Sequence, residues 1–169
     1  MPHGRFDGFD DFAQRERGPL VAFAWSLTGD RAASEDLAQE ALEAAWKRWD
    51  TVAGYDRPGA WARRVVANAA TGRGRRATRE RRAYGRWMGR PAATVELEPQ
   101  DHRFWGEVRK LPQRQAQAVA LHYLEDMPIG DIAAVLGCAE GTVKAHLHRG
   151  RLALARSLGL LDTDEGGER

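Results

Sequence analysis

A single cysteine, Cys138, stands in 169 residues, so no internal disulfide can form and the chain suits a reducing cytoplasm. No apolar run approaches the roughly 18 residues that cross a bilayer, and residues 1–11 lack the apolar core of a secretion signal. The sequence therefore predicts a soluble, intracellular protein with no membrane insertion. It lacks a glycine-rich phosphate loop followed by Lys-Ser/Thr, a His-Glu-x-x-His pair and a nucleophile elbow. His122, Cys138, His146 and His148 are metal-ligating types, but histidines two apart on a helix point away from each other. Cys138, in a turn, reads as a packed small residue rather than a nucleophile. The expectation is a chain without catalysis, cofactor or metal of its own. No internal repeat is detectable, and the length allows one domain or two small ones.

Acidic residues are nearly absent from one stretch. Residues 57–90 hold eleven arginines and one acid, while the net formal charge of the whole chain is only +2. The balance is −5 over residues 1–56, +10 over 57–90, −3 over 91–137, +3 over 138–161 and −3 over 162–169. Two basic blocks, one in each half, suit two contacts with a polyanion and leave acidic surface for another partner. A merely solvated face does not require that one-sidedness.

The most ordered pattern lies between Leu111 and Leu154. Pro128 suits a first helical position, Ile129, Ile132, Ala133 and Leu136 recur at helical spacing, and Gly137 can take the left-handed cap that ends the helix. A second helix follows with Val143, Leu147, Leu154 and Leu158 on one stripe and Lys144, His148, Arg149 and Arg151 off it. Leu111-Pro112 opens a helix upstream carrying Ala116, Val119, Ala120 and Tyr123. This is a helix-turn-helix pattern, although spacing alone also fits an ordinary helical hairpin.

From the beginning, Phe6, Phe9, Phe12, Leu20, Val21, Phe23, Ala24 and Leu27 predict one or two helices interrupted near Gly18-Pro19. Thr28-Gly-Asp30 is a turn, and a long helix is expected from about Arg31 to Trp49, with Leu37, Ala41, Leu42, Ala45, Trp46 and Trp49 inward. Asp36, Gln39, Glu40 and Glu43 form an acidic ridge on it, either ordinary solubility or a partner surface. Residues 50–58 read as a loop, and Pro58 opens a helix with Trp61, Val65 and Ala69 at four-residue spacing. Gly72 and Gly74 would each cost that helix about 1 kcal/mol, so a break is expected there. Residues 75–87 are polar nearly all round, and Met88 to Gln100 reads as an interdomain linker. Asp101 can cap a further helix bearing Phe104, Val108 and Leu111.

These residues carry a resemblance. Leu27-Thr-Gly-Asp30, Glu35-Asp-Leu-Ala-Gln-Glu-Ala41 on through Trp46, Ala60-Trp-Ala-Arg-Arg-Val-Val-Ala-Asn68, Leu111-Pro-Gln-Arg-Gln115 and Asp131-Ile-Ala-Ala-Val-Leu-Gly-Cys-Ala-Glu-Gly-Thr-Val-Lys144 occur in order. With them the chain from about Phe9 to Leu158 resembles a two-domain extracytoplasmic-function (ECF) sigma factor, the minimal promoter-recognition subunit of bacterial RNA polymerase. The resemblance implies an all-α protein of two small helical domains joined by a flexible linker: 1–87, a linker at 88–100, a helix-turn-helix domain at 101–161 and an acidic tail at 162–169. It implies that Asp36, Gln39, Glu40 and Glu43 dock on the clamp helices of the largest polymerase subunit. Loop residues 50–57 and the helix with Asn68 would take the downstream, minus-ten element as single-stranded DNA with a flipped base. Arg63, Arg64, Arg73, Arg75, Arg76 and Arg79 would hold its phosphates. Tyr55, and less so Trp49, are candidate base contacts, whereas Trp46 and Trp61 fit the core. The second domain would read the upstream, minus-thirty-five duplex with Lys144, Ala145, His146, His148, Arg149 and Arg151. An anti-sigma protein that keeps both domains from polymerase is common in the family.

Some residues depart from the family pattern. Ala139 stands where a serine often caps the recognition helix, a loss of typically ~1 kcal/mol that Glu140 partly offsets through the helix dipole. Gly72 replaces a common aspartate, Gly150 a common alanine and His146 a more usual arginine; His146 and His148 would make upstream binding depend on pH. Two other readings stay open on the sequence: a self-sufficient helix-turn-helix regulator binding duplex DNA as a dimer, and a protein that only sequesters polymerase, which would not need the arginines.

Overall fold

A computed structural model describes residues 4, 6–71 and 99–161, and every regular element among them is an α-helix. Eight occur: α1 (Phe9–Thr28), α2 (Arg31–Lys47), α3 (Trp49–Val52), α4 (described over 58–71), α5 (Pro99–Val108), α6 (Gln113–Tyr123), α7 (Ile129–Leu136) and α8 (Glu140–Ser157). The expected break at Gly72-Gly74, the arginines at 73, 75, 76 and 79, most of the linker and the acidic tail lie outside the described residues. No described helix is long and apolar enough to cross a membrane.

Helices α1 and α2 form an antiparallel pair whose corner is closely specified. Gly29 adopts the left-handed conformation (φ 67°) and returns its N–H to the Trp25 carbonyl at 2.8 Å. Asp30 then caps α2, its carboxylate accepting from the Ala33 amide at 2.8 Å. Ser34 Oγ donates to the Asp30 carbonyl (2.6 Å) and lies 3.0 Å from Thr28 Oγ1, which ties the two helix ends together. Ala38, Ala41 and Ala45 let α2 approach Leu20, Phe23 and Ala24 of α1 closely, and all six are buried.

Several expectations need correction. Helix α1 runs through Gly18-Pro19 without a break, because both residues are exposed and the carbonyl of Arg15, deprived of its donor, belongs to an exposed residue as well. The long second helix ends at Lys47; Arg48 leaves helical geometry (φ −122°, ψ 22°), and α3 restarts as a short turn whose Trp49 and Val52 are buried. Trp46 is not core. It is 40% exposed and stacks on Phe6 with ring centroids 3.6 Å apart, at the edge of a cluster with Phe9, Phe12 and Trp49. Trp49 donates its indole N–H to the Asp7 carbonyl (2.9 Å), so it is structural rather than a base contact. On α4 the buried stripe is Ala62, Val66 and Ala70, one position on from Trp61, Val65 and Ala69, which are half-buried, and Ala67 is buried beside it.

In the second half, α6, α7 and α8 pack on one another around Val119, Leu121, Ile132, Leu136, Val143 and Leu147. Pro128 is the extended cap residue (ψ 155°) and Ile129 the first helical one. Helix α5 begins at Pro99, inside the expected linker, so Asp101 lies in its first turn rather than before it, and Leu111 lies past its end. Tyr123 is exposed. Six consecutive residues of α6, from Ala116 to Leu121, are buried, which one amphipathic face cannot explain. Helix α6 is covered on more than one side, by α7 and α8 and by α1 of the first half.

The two halves are thus packed together. Gln117 of α6, 1% exposed, donates Nε2 to the Ala67 carbonyl of α4 (3.0 Å) and accepts from Arg114 (3.3 Å). Arg109, just after α5, lies with its guanidinium carbon 4.4 Å from the centre of the Trp25 ring and donates to the Trp25 carbonyl at 3.2 Å. Burial holds the Arg109 guanidinium below its ordinary pKa. Glycine suits position 29 for its left-handed backbone angle, and a Cβ there would meet the Arg109 guanidinium at 2.9 Å and displace it.

Candidate nucleic-acid interface

Helices α7 and α8 meet through Gly137, Cys138 and Ala139. Gly137 is left-handed (φ 64°), and its N–H returns to the Ala133 carbonyl. Ala139 is the cap residue of α8, extended and without a side-chain acceptor for the free amides. Val143, Leu147, Gly150 and Leu154 turn inward, which leaves Lys144, His148, Arg149 and Arg151 exposed and Ala145 half-buried. Lys144, His148 and Arg151 fall on one stripe at spacings of four and three, and Ala145 and Arg149 on the next. Arg151 is tethered: Nε donates to the Tyr123 hydroxyl (2.6 Å), Nη2 lies 3.2 Å from His122 Nε2, and the guanidinium sits over the Tyr123 ring at 5.5 Å. His146 is set apart on the flank toward α6. Its Nδ1 is buried with no partner among the described residues, and burial, then the charges of Arg149 and Arg114, hold its pKa below the ordinary imidazole value. Of the six residues expected on this helix, the structure gathers five on an outward face and turns His146 aside.

In the first half, Arg64 and Asn68 lie one turn apart on the exposed side of α4, and Tyr55, 40% exposed, projects from the preceding loop. Arg63 does not join them. It is 7% exposed, donating Nη1 to Glu16 (2.8 Å) and Nε and Nη2 to Glu125 (2.9 and 2.6 Å). Burial alone would lower its pKa, but the hydrogen bonds and charges of Glu125 and Glu16 outweigh burial and raise it. Arg63 is therefore no phosphate ligand in this arrangement, contrary to expectation. Asp36, Gln39 and Glu43 are exposed along α2 and Glu40 half-buried, with Gln39 donating to Glu43 at 3.0 Å. Among the described residues no three His, Cys, Asp or Glu side chains gather as a metal cluster.

Residues that sequence reasoning missed are Glu16, Glu125, Gln117 and Arg109. Gln117 alone carried a signal, an amide set between Ala116 and Ala118 at the start of the apolar run that ends at Leu121.

The geometry is an exposed basic helix on a helix-turn-helix, joined to a helical half with an acidic ridge and a separate polar face. The chain matches the family models for sigma-70 region 2 over residues 12–80 and sigma-70 region 4 over residues 102–154. It is 32% identical over 144 residues to the ECF RNA polymerase sigma factor EcfG of Rhodopseudomonas palustris, covering 82% of this chain and 78% of that one. The chain belongs to the ECF sigma factors. The RNA polymerase sigma-E factor of Streptomyces avermitilis is a further relative, 30% identical over 97% of this chain and 92% of its own length. A crystal structure of the sigma factor RpoE with the anti-sigma factor NepR from Bartonella quintana matches with a TM-score of 0.70 at 28% identity, covering 90% of this sigma factor and 97% of that chain. The self-sufficient regulator is thereby set aside: this sigma factor is a transcription initiation factor of RNA polymerase.

Proposed function

We propose a division of labour at residue level. The first domain, residues 1–87, binds core polymerase through Asp36, Gln39, Glu40 and Glu43, and it holds melted downstream DNA with Tyr55, Arg64, Asn68 and the arginines at 73, 75 and 76. The second, 101–161, anchors the upstream duplex in the major groove with Lys144, Ala145, His148, Arg149 and Arg151, while His146 acts from the flank. Residues 88–100 connect the two, although α5 already begins at Pro99. The observation that carries this reading is the exposed, one-sided charge of each face: carboxylates on α2, cations and amides on α4 and α8. Opposite signs suit a protein partner and a polyanion.

In this reading the chain performs no catalysis; polymerase supplies the chemistry and the sigma factor supplies position. It acts in the cytoplasm, where polymerase works, and an anti-sigma protein that covers both domains is a fitting regulator, given the RpoE–NepR complex.

The decisive experiment is transcription by purified core polymerase on promoter DNA from the source genome, with and without the chain. Chain-dependent specific starts are expected. Arg149→Ala should weaken upstream recognition, a good bidentate base contact being worth about 1–3 kcal/mol, and Asn68→Ala should impair opening. Normal initiation by either variant removes that assignment.

A further inference from the structure

Two arginines of this chain are held in place by other side chains, and by groups of opposite kind. Arg63 is buried between the carboxylates of Glu16 and Glu125, which neutralise it. Arg151 is exposed on the outer stripe of α8 with Lys144 and His148, and its two partners are uncharged. Nε donates to the Tyr123 hydroxyl at 2.6 Å, and Nη2 lies 3.2 Å from His122 Nε2. His122 and Tyr123 form the last turn of α6 and brace each other edge to face, with ring centroids 4.9 Å apart. Among the described residues Arg151 makes no ion pair with a carboxylate. It is oriented, yet its charge is not cancelled.

A guanidinium is a planar fork of five N–H donors that stays protonated, so in this contact His122 Nε2 is the acceptor and the imidazole is neutral. The tether takes the Nε–H and one Nη2–H, which share an edge. The end-on pair, Nη1 with the second Nη2–H, stays free, and that pair meets a phosphate with two parallel bonds. Arg151 also lies about three turns from the start of α8 at Glu140. A recognition helix sets its first turns over the base edges, so a cation this far along meets the sugar-phosphate backbone.

We propose that Tyr123 and His122 are positioning residues for DNA: they hold Arg151 with its end-on fork ready for one backbone phosphate of the upstream duplex. The proposal rests on the reading of α8 as the helix that meets that duplex. A loose arginine must lose its rotamer freedom when it binds, whereas a tethered one has lost most of it beforehand. Tyr123 acts through Arg151 and not by touching DNA. Its effect on binding therefore exists only while Arg151 is present.

The test uses core polymerase loaded with the full chain, and a fluorescent duplex carrying the upstream element of a promoter from which the loaded enzyme starts. Affinity is read by anisotropy over a range of salt concentrations. Tyr123→Phe keeps the ring and removes the acceptor; it should weaken binding about three- to tenfold and leave the salt slope unchanged. His122→Ala should act in the same direction. Arg151→Ala should weaken binding further, lower the salt slope by about one, and do so equally on duplexes of altered sequence. In the Arg151→Ala background Tyr123→Phe should then change nothing. A cost that persists there means that Tyr123 touches DNA itself or only supports the fold, and it overturns the proposal. So does parental binding by Tyr123→Phe when Arg151→Ala binds weakly. Arg151→Lys keeps the charge without the fork or the Nε donor, and should recover the salt slope but not the affinity; full affinity in that variant shows that charge alone suffices and overturns the tether. If Arg151→Ala matches the parent in both affinity and slope, the assignment of this stripe to upstream DNA has itself failed, and the positioning role falls with it.

Discussion

Replacing Ala139 by serine should stabilise the recognition helix, and by a calculable amount. Ala139 already has the extended backbone of a cap residue (φ −72°, ψ 153°), is exposed, and lends no side-chain acceptor to the first amides of α8. The Thr142 amide already reaches the Ala139 carbonyl at 3.0 Å, but a serine hydroxyl at 139 would add an acceptor for the Gly141 amide with no change of backbone, and such a cap is worth about 0.5–2 kcal/mol, typically ~1. The same protein carries the reverse experiment. At the equivalent position of α2, Asp30 bonds the Ala33 amide at 2.8 Å, so Asp30→Ala should cost about what Ala139→Ser adds. Calorimetry reads both changes and also whether the halves unfold together. One kcal/mol moves the melting temperature by roughly 2–4 °C for a unit of 150–250 residues and 4–8 °C for one of 60–100. Coupled halves give one transition that either substitution shifts by the smaller amount. Independent halves give two, each answering to its own cap. If Ala139→Ser leaves melting unchanged or lowers it while Asp30→Ala destabilises normally, the free amides of α8 are already satisfied and the reasoning fails.

Three further outcomes are expected. Gly150→Val should destabilise by about 1–3 kcal/mol through overpacking, because a Cβ at Gly150 already lies 3.0 Å from Val119 Cγ2 and 3.6 Å from Leu111 Cδ1; a urea midpoint that does not fall refutes this. His146 disfavours its charged form in the fold. Its contribution to stability is therefore present above the ordinary imidazole pKa and lost as pH falls through that value toward the lower folded one, and an NMR titration should show the midpoint rise in Arg149→Gln. Charge reversal of Glu40 and Glu43 to lysine should slow association with core polymerase about tenfold or more at low salt, and less at high salt; rates independent of the ridge would exclude it as the docking face.

Much of the second domain was legible because its signals are local. Pro128, Gly137 and the stripe of Val143, Leu147 and Leu154 each fix a boundary or a face without help from distant residues. The acidic ridge was legible for the same reason. Trp46 was misread because its hydrophobicity is satisfied by stacking on Phe6 outside the core, which helical spacing does not reveal. The continuity of α1 through Pro19 depends on which side of the helix the proline occupies. Arg63 was illegible altogether: it sits among arginines of similar appearance, and only the arrival of Glu16 and Glu125, 47 and 62 residues away in the chain, distinguishes it.

That distinction bears on how a sigma factor can be stable and still open. An interdomain contact built from leucines would gain about 25 cal/mol for each Å² it buries and lose it all when the domains part. Here the contacts between the halves run through Arg57, Arg63, Arg109 and Gln117, each giving up one hydrogen-bond acceptor that water or nucleic acid can replace. The contact also has an apolar part, Trp25 beneath the Arg109 guanidinium and the buried run of α6 that α1 helps to cover. The polar part of that interface specifies one arrangement by geometry while contributing little net free energy of its own. Binding of a partner with carboxylates or phosphates of its own is then enough to move the equilibrium.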